Sequence, residues 1–507
     1  MRNIPAALLT LCVAVGALAL PVLPAVAAPA PCFDAGELDF NGDGYADAAV
    51  GDPDATVSGQ TGAGQVVILY GDADGRIGEG ARAVLTQASL GSAPEAGDRF
   101  GAALAVARVD MDSCLDLVVG SPGETLSGAA AAGVAFVVFG SKDGINAGAT
   151  SQLLSQADVG GAVEAGDRFA SAVAAGDNLG TDTSMVVFGA PGEDLGSATD
   201  AGVVNYLQYS DTIPVLPRQI SQNTAGIPGS AETGDLFGAA VALGVDLIDD
   251  LDVWEIVVGA PGESLGARER AGSITVISDV HTFPPTTYPA VSYTQDSPAV
   301  PGSSEEGDLF GYSLAVLNTP AKRTLAVGAP GESIGPTASA GVVNLFTSTG
   351  SGLVPGVGLH QDSPGVGGAA EAGDRFGHAL SFVPARPGET TAALAVGIPL
   401  EDLGSVKDAG MVQVFPLNNL DAETSYHQDS PGAVGSVHTG GRFGSPVISL
   451  EADQETVLAV GNPYEGVGSV YLLSYGDVGY SPRAWTPGAG GVPAAGAARF
   501  GWSVGAN

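Results

Sequence analysis

Basic residues are few: 18 Lys and Arg stand against 56 Asp and Glu, for a formal net charge of −38 at pH 7. A field of that sign repels phosphate, so no nucleic acid and no anionic lipid surface is expected as a partner, whereas basic partners, metal cations and neutral glycans are compatible with it. The same excess keeps an exported chain soluble. Cysteine is almost missing, with only Cys12, Cys32 and Cys114. Histidine is sparse too. His281, His360, His378, His427 and His438 fall in separate stretches and make neither a triad nor a zinc set. After residue 27 no run approaches the roughly 20 apolar residues that span a bilayer, so no membrane span is expected. No segment sustains a helical apolar period, which argues against a helical solenoid.

The first residues do carry an apolar run. Met1-Arg-Asn, the stretch from Ile4 to Leu20 and then Ala25-Val-Ala27 read as a secretory signal peptide over residues 1–27, with Pro21 and Pro24 against a retained membrane helix. A secreted, extracellular chain of residues 28–507 is the expectation. Cleavage removes Cys12, and in an oxidising compartment Cys32 and Cys114 are then expected to form one disulfide. It would close an 82-residue loop (114 minus 32), a contribution of about 4 to 5 kcal/mol in the chain-entropy account.

Glycine and proline, by contrast, are abundant, at 76 and 33 residues, and supply the tight turns of a meander of short strands. They frame a repeat. Phe100, Phe169, Phe237, Phe310, Phe376, Phe443 and Phe500 follow one another at intervals of 69, 68, 73, 66, 67 and 57 residues, and all but Phe169 precede Gly. Acidic turns lead into them, as in Glu95-Ala-Gly-Asp-Arg-Phe-Gly and Glu371-Ala-Gly-Asp-Arg-Phe-Gly. Each Phe is followed by a short apolar run stopped by Gly and often Pro, such as Ile256-Val-Val-Gly-Ala-Pro-Gly-Glu263, and then by Ala-Gly with a β-branched run, such as Ala340-Gly-Val-Val-Asn-Leu345. A weaker fourth strand leads into Gln-Asp-Ser-Pro at Gln295, Gln361 and Gln428. Four short strands per copied unit predict an all-β propeller rather than a β-helix, whose coils are much shorter.

The two ends complement each other. The segment from Asp39 to Gln87 holds three strand candidates and no preceding Phe-Gly strand, while Ala498-Arg-Phe-Gly-Trp-Ser-Val504 is a Phe-Gly strand with nothing after it. Pairing the C-terminal strand with the N-terminal segment completes a seventh blade and closes the ring. With Phe-Gly and Gly-Ala-Pro alternating in this order, the chain resembles the FG-GAP repeat family, best known from the seven-bladed propeller heading integrin alpha subunits. The resemblance spans residues 33 to 507 and implies a calcium-stabilised binding or adhesion module, expected here as a monomer whose partner is an extracellular protein or glycan.

One loop points to calcium on its own chemistry. Asp39-Phe-Asn41-Gly-Asp43-Gly-Tyr45-Ala-Asp47 sets oxygen side chains at alternate positions, with a backbone carbonyl available at Tyr45. Calcium takes about six to eight hard oxygens at roughly 2.4 Å, and a loop bent at Gly44 can aim alternate side chains at one centre. In the next repeat Asp110, Asp112 and Asp116 persist, but Arg108 replaces the first ligand and Cys114 takes the place of Tyr45, so Arg108 is expected to neutralise those carboxylates.

Other patterns have plainer readings. Gly262-Glu-Ser264-Leu-Gly266 and Gly331-Glu-Ser333-Ile-Gly335 match a hydrolase nucleophile elbow, yet sister repeats place Thr125, Asp194 and Asp402 at the Ser position, as a turn residue would. The acidic-turn residues Asp98, Asp167, Asp235, Asp308 and Asp374 are expected to bond their own turn's amides and to pair with Arg99, Arg168 or Arg375. As an alternative they form an acidic collar for a cationic or hydroxyl-rich ligand. Glu124, Glu193, Glu263 and Glu332 are read as closing turns. No catalytic residue is assigned; a secreted hydrolase of glycans or lipids, or a purely structural extracellular protein, are the alternative functions.

Overall fold

The computed structural model describes residues 38–505 except 75, 113, 148–150, 179–182, 211–216, 279, 281–286, 320–321, 386–390, 431–433, 453–454, 476–481, 495 and 497. The expected signal peptide, Cys32 and His281 lie outside the described residues. Seven antiparallel sheets of four strands stand in a ring. From the axle outward, blade 1 holds Ser503–Gly505, Ala48–Asp52, Gln65–Leu69 and Arg82–Leu85, and blade 2 holds Ala103–Ala107, Asp116–Ser121, Val134–Val138 and Gln152–Leu154. The inner strands of blades 3 to 7 are Ala172–Asn178, Ala240–Val245, Ser313–Thr319, Ala379–Val383 and Val447–Ala452. No α-helix occurs among the described residues.

The middle strands are buried along their whole length, as in Asp116–Ser121, Val134–Val138 and Thr183–Ala190. Neighbouring blades cover both faces, and this is why the sequence shows continuous apolar runs there instead of alternation. Outer strands such as Gln152–Leu154 and Arg218–Ile220 are short and part-exposed, which explains their faint signal.

The two recurring phrases turn out to be halves of one contact. Phe100 N–H donates to the carbonyl of Ala63 in the preceding blade at 3.0 Å, and Phe169 to Ala132, Phe237 to Ala201 and Phe443 to Ala409 repeat this bond within 2.9 to 3.0 Å. A Cβ on Gly64, the Gly of Ala63-Gly64, would stand 2.2 Å from the Phe100 carbonyl oxygen. Likewise a Cβ on Gly51 would meet the Gly101 carbonyl at 2.2 Å. Gly is therefore demanded by backbone passing backbone between blades. All seven repeated Phe side chains are fully buried, and Phe100 packs edge-on against Phe136 at 5.3 Å.

Closure follows the expected pairing. Ser503–Gly505 lies antiparallel to Ala48–Asp52, with Val504 opposite Val50, Gly505 opposite Ala49 and Ser503 opposite Gly51. Phe500 N–H donates to Val467 of blade 7 at 3.2 Å, Gly501 to Gly51 at 3.1 Å and Ser503 Oγ to the Gly101 carbonyl at 2.7 Å. The last strand thus touches blades 7, 1 and 2.

Candidate functional site

The loop Asp39–Asp47 leads into Ala48–Asp52, the second strand of blade 1, at the pole opposite the Phe-Gly turns. Its shape comes from side chains bonding to backbone. Asp39, only 1% exposed, accepts the amides of Asn41 (3.1 Å) and Gly42 (2.6 Å) on Oδ1 and that of Gly44 (2.7 Å) on Oδ2. Asp43 Oδ1 accepts the Tyr45 amide at 2.9 Å, and Asn41 Nδ2 donates to Asp43 Oδ2 at 2.9 Å. Asp47 is fully buried and clamps the loop, accepting Phe40 N–H at 2.9 Å and Gly71 N–H at 2.8 Å. Burial raises the pKa of Asp39 and pushes that of Asp47 up to about 8, with Asp39 and Asp43 adding like charge.

These donors suit calcium in kind, being hard oxygens free of sulfur or imidazole. They are not drawn onto a single point: among the described residues no three His, Cys, Asp or Glu side chains gather at metal-binding distance. The sister loop in blade 2 explains part of this. Asp116 repeats the clamp of Asp47, accepting Val109 N–H at 2.7 Å and Gly140 N–H at 2.9 Å, and Glu255 does so in blade 4 through Leu247 and Ile248. The carboxylate that ends the loop therefore has a structural task in each of these three blades. Arg108 Nη1 also reaches Asp177 of blade 3 at 3.3 Å, and its field lowers Asp112, although burial of Asp112 outweighs it. Cys114 is buried, and its expected partner Cys32 is beyond the described residues.

At the other pole the acidic turns behave as read in one respect. Asp98, Asp167, Asp235 and Asp374 each accept the amide of the Glu three residues earlier, at 2.5 to 2.7 Å, and Asp308 accepts that of Glu305. The arginine pairing differs: Arg168 bridges to Asp200, in a later hairpin of blade 3, at 2.8 Å and Arg99 leans toward Asp54 of blade 1 at 3.9 Å, so neither pairs with the Asp of its own turn. These Asp carboxyls are buried, so a guanidinium could reach them only by giving up its own water.

The Glu residues do close turns through their backbone, Glu124 N–H bonding the Ser121 carbonyl at 3.3 Å. Their side chains do something the single phrases did not show. Gln156 Nε2 donates to Glu193 at 2.5 Å, Gln222 to Glu263 at 2.5 Å, Gln295 to Glu332 at 2.7 Å, Gln361 to Glu401 at 2.6 Å and Gln428 to Glu465 at 2.7 Å, with Gln87 bonding Glu124 in the same way. Each bond crosses from one blade to the next, beside the buried Asp of the acidic turn except at Gln428–Glu465, where that position is Gly441. Burial first, then the neighbouring carboxylates, push Glu124, Glu263 and Glu401 to about 7 and Glu332 to about 8. At two junctions, Glu124 with Asp98 and Glu332 with Asp308, the Asp charge adds to the upward push on the Glu. The signal available in sequence was the recurring offset of 37 residues between Gln and Glu.

Ser264 and Ser333 lie in hairpins whose ends are pinned by the bridges Leu265 to Arg268 and Ile334 to Thr337, with no helix to form an elbow. Ser436 and Glu465 both approach His438, at 3.4 and 3.0 Å, but on the same Nε2 atom, so the imidazole cannot relay a proton between them.

Fold and repeating contacts define a seven-bladed β-propeller with FG-GAP-type joins. The FG-GAP repeat model matches residues 35–69, which hold the Asp39–Asp47 loop and two strands of blade 1, and the ring fits the integrin alpha-like resemblance. No curated protein matches the chain. A solved structure, the GH93 alpha-L-arabinofuranosidase of Fusarium graminearum in complex with arabinobiose, is similar over 64% of this chain and 82% of that one, at 9% identity and a TM-score of 0.37. So slight a likeness bears on no activity.

Proposed function

We propose that this protein is a secreted, calcium-stabilised propeller that serves as a binding or adhesion module for an extracellular protein or glycan. The observation that carries the reading is that the described residues are absorbed by one closed ring, whose loops at each pole are the surfaces left for recognition. Calcium belongs at Asp39, Asn41, Asp43, Tyr45 and Asp47, where the ion would offset carboxylates that burial leaves costly to charge. The Cys32–Cys114 disulfide belongs to the same reading, tying the segment before blade 1 to blade 2. Glycan arrays and pull-downs from extracellular material, run with calcium and with EDTA, test the function. Selective, saturable binding is expected; turnover of a glycan or lipid panel would replace this reading with an enzymatic one.

A further inference from the structure

The Phe-Gly pole carries a feature at odds with the charge of the molecule. The residue before the repeated Phe is Arg at Arg99, Arg168, Arg375, Arg442 and Arg499. Just after Phe-Gly stand Tyr312, His378 and Trp502, each directly ahead of an inner strand, whereas blades 2 and 4 have Ala102 and Ala239 there. These residues meet in one arc around the mouth of the axle. The Tyr312 and His378 rings lie 5.0 Å apart. Arg442 covers Tyr464 at 4.3 Å, Arg499 covers the same Tyr464 at 4.4 Å and Trp502 at 5.7 Å, and Arg99 covers Trp502 at 5.1 Å.

Asp54 balances Arg499, at 2.8 Å, and Arg99 more loosely. Arg375 and Arg442 have no carboxylate within ion-pair distance among the described residues, in a chain where acid outnumbers base 56 to 18. Both press on His378, whose Nδ1 is buried without a hydrogen-bond partner. Burial and the two arginines hold that imidazole neutral, down to about 4. Unpaired guanidinium groups beside a polar atom lacking a partner are an incomplete arrangement.

We propose that the arginine-lined mouth between blades 5 and 1 binds a carboxylate-bearing saccharide, a uronic-acid residue, with its carboxylate on Arg375 and Arg442 and its ring against Tyr312 and His378. Guanidinium groups match a carboxylate edge, and the part-exposed face of Tyr312, 37% accessible, offers an apolar surface for a pyranose. The field of the whole molecule disfavours a long polyanion, so the ligand bears isolated carboxylates on an otherwise neutral glycan. This rests on the binding-module reading and gives it a ligand class and a place.

The test is calorimetry with trigalacturonate, its methyl ester, a neutral galactose trimer and an acidic peptide, on the full chain and on Arg375→Gln/Arg442→Gln, with Arg168→Gln as control. Trigalacturonate should bind saturably and the ester, neutral trimer and peptide more weakly by on the order of tenfold or more, the worth of a charge-assisted bond. The double variant should lose the same factor with its melting temperature unchanged, while Arg168→Gln keeps full affinity. Equal binding of acid and ester, or full affinity in the double variant, overturns the assignment; a peptide binding as tightly as trigalacturonate overturns the saccharide part. A glycan-array ligand indifferent to Arg375 and Arg442 would sink this site and leave the binding module standing.

Discussion

The join between blades 7 and 1 differs from the join between blades 2 and 3 in every side chain that matters. At the ordinary join Gln156, Asp167 and Glu193 form a buried polar knot. At the closing join the corresponding positions are Pro487, Ala498 and Ala55, so all three members are gone together. In their place Asp52 accepts the Arg499 amide at 2.7 Å, and Arg499 stacks between Tyr464 and Trp502. The Gln–Glu pair is thus the unit: losing one would strand the other as a buried polar group, and the closing join omits both, whereas the join between blades 6 and 7 keeps Gln428 and Glu465 with Gly441 in place of the Asp. Covalent continuity is missing within blade 1, where three residue pairs hold Ser503–Gly505 to Ala48–Asp52, while the join to blade 7 relies on Phe500 and cation–π contacts.

The sharpest way to break the comparison is to end the chain at residue 497. The ordinary joins keep their contacts, yet the closing join loses Phe500 and Val504, both buried in the core shared by blades 7, 1 and 2. Truncating one buried Phe costs about 3 to 5 kcal/mol. Thermal unfolding should show a large fall in midpoint and loss of a single cooperative transition, and hydrogen exchange should rise first in Ala48–Asp52. An unchanged melting curve would refute the closed ring.

Calcium should act on this same blade. With the ion at 100 times its dissociation constant, linkage predicts about 2.7 kcal/mol of added stability, and Asp43→Ala should abolish it while leaving the calcium-free protein as stable as before, since Asp43 is exposed. Asp112→Ala in the sister loop should leave calcium binding intact. Calorimetry and melting with and without EDTA decide it; calcium binding of equal strength in Asp43→Ala would remove the loop from consideration.

Much of this ring was legible because the phrases that recur are the places where backbone meets backbone. Gly51 and Gly64 admit no side chain, so their pattern is fixed by contact distance and survives in every copy, while the Gly101 position takes Ala170 in blade 3. The Asp39–Asp47 loop was visible for a similar reason, local spacing, although the clamp role of Asp47 required its partner Gly71, which is remote in sequence. The knots and the arginine mouth were not visible, because each joins residues from different blades: Gln156 and Glu193 look like two unrelated turn residues until the blades stand side by side. Arg168 was paired with Asp167 by nearness in sequence, whereas it bridges to Asp200, brought beside it only when blade 3 folds back on itself.

Removing one knot should therefore cost more than its surface position suggests. Glu193→Ala leaves the buried Gln156 amide without its acceptor, worth about 1 to 3 kcal/mol, whereas Ala55, the natural counterpart, comes with Pro487 and strands nothing. The double change Glu193→Ala/Gln156→Ala should recover part of the loss in denaturant unfolding. Additive costs would show that the two side chains do not act as a pair.

The knots also set a pH dependence whose sign is opposite to that of an ordinary ion pair. Glu193 is raised from 4.5 to about 7 by burial, with Asp167, Glu164 and Asp194 adding like charge and Gln156 lowering it. A carboxyl with a folded pKa above its unfolded value favours folding in its protonated form, so its contribution is fully present below about 4.5 and is lost as pH rises through about 7. Glu124, Glu263 and Glu401 act in the same window. The melting temperature should therefore fall between pH 5 and pH 8. Self-repulsion of an acidic chain gives the same direction, but salt screens it, while the buried groups are screened far less. Glu193→Gln should accordingly flatten the slope at high salt, and a Glu193→Gln slope identical to the parent's would show that the knot titrates alike in the folded and unfolded chain.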